Sequence, residues 1–152
     1  RRQVAIDAVG EMAAARSNSP MAGSTDIPLE QLFFVAPVRG EISAGFKPDE
    51  GHLGVDILGP KGTAIKACLD GYVILSDYTY ETGHTIGIQH ANNVISFYKH
   101  NSELLKEVGD FVQAGEAVAI IGNTGTLSSG PHLHFELWHK GMAVDPTEYV
   151  KF

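Results

Sequence analysis

From Phe33 onward the chain is a series of short apolar or alternating runs broken by glycine and proline: FFVAPV, AIKACLDGYVIL, HTIGIQH, VISFYKH, DFVQAGEAVAIIG and HLHFELW. Runs this short do not sustain the 3.6-residue period of a packed helix, whereas a period of two puts every second side chain on one face of a strand. The spacing predicts an all-β domain of antiparallel strands, sandwich or barrel, with helix suggested only at Ser102-Glu103-Leu104-Leu105-Lys106. Upstream the grammar differs. Val4 to Arg16 carries Ala5, Ala8, Val9 and Met12 at helical spacing, and Ser17 to Leu29 has linker composition. The expected organisation is an N-terminal helix and linker over residues 1–31 and one domain over residues 32–152.

The 152 residues, with 17 glycines and 7 prolines, suit one turn-rich domain able to bury its own core. The formal charge of -7, with no Lys/Arg cluster beyond Arg1-Arg2, excludes nucleic acid as the expected partner. Cys68 is the only cysteine, so neither an internal disulfide nor a thiolate zinc cage can form, and any metal must be held by His, Asp or Glu. No apolar run reaches the roughly 20 residues of a membrane span. The start at Arg1, without a signal sequence, is what a mature or trimmed chain would show.

Three segments carry the chemistry. In GPHLHFELW a strand places His132 and His134 side by side while Leu133, Phe135 and Leu137 face the core. In GHLGVDI, His52 and Asp56 lie four residues apart around Gly54, which lets the backbone bend so that both reach one point. In VISFYKH, alternation puts Tyr98 and His100 on the face opposite Ile95 and Phe97. Taken singly, these read as surface histidines, a hydrogen-bonded turn pair and a strand-end histidine. Together they supply four histidines and one aspartate at strand ends. A catalytic zinc takes three protein ligands and keeps a position for water, so five candidates leave two to move protons or stabilise an oxyanion.

HLGVD, then YKH, then GNTG and GPHLHFEL, in that order, resemble the lysostaphin- or LytM-type zinc endopeptidases of bacterial cell walls. The resemblance covers about Phe33 to Phe152 and includes GPKGTAIKACLDGYV, VGDFVQAGEAVAIIGNTG and VDPTEYV. It implies a strongly twisted two-sheet, duplicated-hybrid-motif architecture, one zinc held by His52, Asp56 and His134, and His132 and His100 flanking the water. The implied substrate is the peptide part of peptidoglycan, and the implied location is periplasm, surface or outside the cell. Relatives that only bind or activate typically lack some of the five residues; this chain keeps them all. It departs in the short acidic stretch Gly45 to Glu50, where many relatives carry an arginine- and histidine-containing loop.

The remaining candidates have plainer expectations. His84, His90 and His139 read as surface or turn residues, and Cys68 as a small core residue. Glu136 shares the face of His132 and His134; a solvated or salt-bridged carboxylate is the plainer reading, with a supporting partner of the histidines or a general base as the alternatives. Tyr72, Tyr78, Tyr80 and Trp138 read as half-buried strand positions or groove lining. The Asn123-Thr124-Gly125 turn and the stretch Leu127 to Gly130 read as an approach to the HLH strand that walls the cleft. Two rivals remain. One is a non-catalytic metal-binding domain that regulates another wall hydrolase through a protein partner. The other is a biotinyl- or lipoyl-type carrier, similar in VGDFVQAGEAVAII but lacking a lysine in the required setting and leaving the histidines without purpose.

Overall fold

A computed structural model describes residues 27–123 and 130–152. The helix expected over Val4 to Arg16 and most of the linker lie outside the described residues, as does the cleft-wall segment apart from Asn123 and Gly130. Among the described residues ten strands follow one another: β1 (Ile42–Ala44), β2 (Val55–Leu58), β3 (Ala64–Lys66), β4 (Gly71–Thr79), β5 (Gly83–His90), β6 (Val94–Leu104), β7 (Phe111–Val112), β8 (Ala117–Ile121), β9 (His132–His139) and β10 (Met142–Val144). Among the described residues, helix is limited to three single-turn 3-10 segments.

Every strand pair is antiparallel, in the order β1-β2-β9-β6-β5-β4-β7, with β10 beside β9. β6 links this sheet to a β3-β8 ribbon, because its first part pairs with β9 and its end with β8. The helix suggested at Ser102 to Lys106 is therefore not formed: Glu103 and Leu104 extend β6 opposite Ile120 and Ala119. A five-residue run is too short to hold a helix alone, and a waiting ladder partner decides its conformation.

The main core lies between sheet and ribbon, where Val55, Ile57, Ile86, Ile88, Leu133, Phe135 and Leu137 cluster with Ile65, Val118 and Ile121. Leu133, Phe135 and Leu137 thus occupy the core side of β9, as alternation predicts. The opposite face is not left to solvent. Ile95, Phe97 and Trp138 form a second buried cluster there, packed against Leu53, Ile74, Leu75 and Ala143. His132, His134 and Glu136 share that face of β9 and are themselves buried.

Candidate metal centre

β2 and β9 are registered so that Asp56 lies opposite His134 and Leu58 opposite His132. Opposed residues of an antiparallel pair project to the same face, so register alone sets Asp56 beside the histidines. His52 arrives from the turn before β2, a 3-10 turn over Pro48–Glu50 closed by Gly51 in the left-handed region at φ 79. Gly54 serves close approach: a Cβ there would lie 2.3 Å from the Phe135 carbonyl oxygen and 2.8 Å from Glu136 Cγ. The left-handed turn is thus made at Gly51, and Gly54 lets β2 press against β9.

His100 reaches the site by a different device. Tyr98 does not share its face; it is fully buried in the main core. The His100 ring instead lies 5.2 Å from that of His132 and 6.1 Å from that of His134, centroid to centroid. The cause is a bulge: β6 advances three residues from Tyr98 to Asn101 while β5 advances two, from Ile86 to His84. His100 takes φ 67 within it, a conformation uncommon for a residue with a Cβ, and its N–H donates to the Thr82 carbonyl at 2.9 Å. A bulge reverses the alternation and re-aims the side chain, which no period-two reading can anticipate.

His52, Asp56 and His134 offer ligand atoms that all lie within 4.8 Å of one another, the one such grouping among the described residues. The His52 Nδ1–H donates to the Gly45 carbonyl, turning Nε2 toward Asp56 Oδ2 at 3.3 Å. His134 Nε2 meets Glu136 Oε2 at 2.8 Å, while its Nδ1 faces Asp56 Oδ1 at 2.8 Å. Each ring therefore has an acceptor on its outer nitrogen and the Asp56 carboxylate on its inner one. Two imidazole nitrogens and a carboxylate converging in this way suit zinc. Burial by itself would raise the Asp56 carboxyl, but the hydrogen bonds and charge of His134 and His52 hold it well below the usual carboxylate range.

His132 points at the same place without joining that grouping. Its Nδ1–H donates to the Gly130 carbonyl at 2.7 Å, and its Nε2 stands 3.9 Å from Asp56 Oδ1. All five residues singled out from the sequence are thus gathered at one place. Glu136 is salt-bridged as expected, to Lys99 Nζ at 3.0 Å, but it is buried rather than solvated and touches His134 directly. Its position two residues beyond His134 signalled the shared face, whereas nothing local signalled Lys99.

The other expectations divide. His90 is buried, not at the surface, because the end of β5 is roofed by the Asp70 carbonyl, 2.7 Å from Nδ1, and by Ser96 Oγ, 2.7 Å from Nε2. His84 and His139 are half-buried strand residues. Cys68 is a core residue whose thiol burial pushes up to about 11. Tyr72, Tyr78 and Tyr80 are exposed, while Trp138 is buried and donates to Glu136 Oε1 at 2.9 Å.

Residues 50–146 match the family model of Peptidase family M23, a span that contains all five residues. The chain is 35% identical over 136 residues to the murein hydrolase activator NlpD of Salmonella dublin, covering 88% of this chain and 36% of that protein. It is 36% identical over 110 residues to the peptidoglycan DD-endopeptidase ShyC of Vibrio cholerae, covering 72% of this chain and 24% of that protein. A putative peptidase M23 from Pseudomonas aeruginosa superposes with a TM-score of 0.77 at 29% identity, over 94% of this chain and 59% of that one. The chain belongs to peptidase family M23. It spans about a third of the length of the NlpD protein it matches.

Proposed function

We propose that this chain is a zinc-dependent endopeptidase that hydrolyses amide bonds in the peptide stems or cross-bridges of peptidoglycan, outside the cytoplasm, with residues 32–152 as the peptidase domain and 1–31 as a preceding segment. His52, Asp56 and His134 hold the ion. Zinc bound there supplies a Lewis acid for the scissile carbonyl and an acidified water near neutral pH. The protein's own part falls to His132 and His100. With Nδ1 donating to the Gly130 carbonyl, the His132 ring turns Nε2 toward the centre as the nitrogen that would take a proton there. His100, its ring 5.2 Å from that of His132 and 6.1 Å from that of His134, is placed to donate to the oxyanion that develops as the carbonyl is attacked.

One observation carries this reading: two imidazoles crowd the metal grouping without belonging to it, one of them held in a left-handed conformation. A site that only holds an ion has no use for them. The similarity to a protein named as a murein hydrolase activator favours a second reading, a metal-binding domain that regulates another hydrolase. Metal content by mass spectrometry, paired with release of soluble fragments from purified peptidoglycan before and after chelation, separates the two. One zinc per chain with chelator-sensitive release is expected; bound zinc without release from several wall types would select the regulatory reading.

A further inference from the structure

His134 stands between two carboxylates. Asp56 Oδ1 lies 2.8 Å from its Nδ1 and Glu136 Oε2 lies 2.8 Å from its Nε2. A neutral imidazole has one N–H and can satisfy only one of them as donor. If the proton sat on Nδ1, it would bond Asp56, and the grouping would close on itself as a His–Asp hydrogen bond with no lone pair left for a cation. If it sits on Nε2, the Nδ1 lone pair and the Asp56 carboxylate both remain available at the point where His52 converges.

The surroundings of Glu136 bias that choice. Its Oε2 also accepts from Lys99 Nζ at 3.0 Å, and its Oε1 accepts from Trp138 Nε1 at 2.9 Å. Glu136, Lys99 and Trp138 are 2%, 4% and 6% exposed, so neither oxygen can turn to water and the carboxylate has no other place to go. Trp138 is anchored in turn by Ile95 and Phe97 in the second cluster. We infer that Glu136, buried against Lys99 and Trp138, is a positioning residue that keeps the His134 proton on Nε2 and thereby keeps Nδ1 open as a metal ligand. Lys99 has a separate duty, compensating the buried carboxylate, and does not itself orient the ring.

The inference rests on the metal reading of His52, Asp56 and His134 and is tested apart from turnover. Removing Glu136 alone strands the Lys99 charge, so the informative variant is Lys99→Met/Glu136→Leu, which replaces the ion pair with apolar groups, a change buried pairs often tolerate. Zinc affinity is read by competition with a chromophoric chelator, and the His134 ring N–H by nitrogen-15 NMR of the metal-free protein. The double variant should fold, bind zinc roughly 10- to 100-fold more weakly and lose the Nε2–H signal. Lys99→Met alone strands the Glu136 carboxylate in the same way and should lower stability, while the folded variant keeps the Nε2–H signal because the acceptor remains. Should the double variant fail to fold, Glu136→Gln, which keeps a weaker neutral acceptor, should still weaken zinc binding severalfold. Unchanged affinity in whichever variant folds, or an Nε2–H signal that survives loss of Glu136, overturns the inference. Wild-type protein that binds no zinc yet shows the Glu136-dependent signal would leave the positioning role standing and remove the metal reading instead.

Discussion

Side chains at the centre have separable duties, and single substitutions should separate them. His134→Ala removes one of the three proposed ligands, so metal and the proposed activity should be lost together. His132→Ala and His100→Ala should keep the metal and lose turnover by roughly 10²-fold or more, the size associated with a proton-transfer group or an oxyanion donor. Metal analysis beside peptidoglycan digestion checks this, and release of metal by His100→Ala would break the division. Gly54 has a steric duty. In Gly54→Ala the new methyl would lie 2.3 Å from the Phe135 carbonyl oxygen, so β2 must retreat from β9. That retreat separates Asp56 from His134, and the expected result is a loss of about 1–3 kcal/mol in denaturant unfolding together with weaker zinc binding. These residues were legible in the sequence because their chemistry is local to short motifs. Lys99 was not, because its partner Glu136 lies on another strand and only the β6-β9 register brings the two together.

Strands transmit position to the centre, and β6 does most of this. Its alternation was readable from Val94 to Tyr98 and failed at His100, where an extra residue reverses the facing. Glycine is the residue a left-handed bulge position would ordinarily take, so a histidine there argues that its side chain is retained against backbone preference. This gives a test with an inverted sign. Within a regular strand Gly is less stable than Ala by roughly 0.5–1 kcal/mol. At position 100 the order should reverse, with His100→Gly more stable than His100→Ala by about 1 kcal/mol, while both lack turnover. Equal stability, or Ala ahead, would mean that the bulge relaxes on substitution and that the left-handed geometry belongs to the imidazole's contacts. The end of β6 teaches a related lesson, since Ser102 to Leu104 has helical composition and strand structure because β8 supplies the ladder.

Across the whole molecule, all-β class and antiparallel pairing followed from glycine punctuation and period-two runs, since both are imposed residue by residue. The burial of both faces of β9 did not follow, because the second cluster draws Leu53, Ile74, Phe97 and Trp138 from four separate stretches of chain. Nor did the polar chain inside the main core, in which Ser96 Oγ lies 2.7 Å from both His90 Nε2 and the Tyr98 hydroxyl, and that hydroxyl accepts from the Cys68 N–H at 3.1 Å. Burial pulls the His90 imidazole down to about 4 from 6.5, with the Asp70 carbonyl opposing the fall. The folded protein thus holds His90 neutral, while the unfolded chain begins to bind the proton near pH 6.5. Above that pH neither state is charged at His90 and stability is unaffected. As pH falls from 6.5 toward 4, proton uptake by the unfolded chain draws the equilibrium toward unfolding, costing on the order of 3 kcal/mol by the lower limit. Urea unfolding of the metal-free protein at a series of pH values, wild type against His90→Gln, isolates this contribution because the other histidines cancel in the difference. The wild type should lose its advantage over the variant as the pH is lowered through that window, and a difference that stays flat from pH 7 to 4 would mean that His90 accepts its proton within the fold.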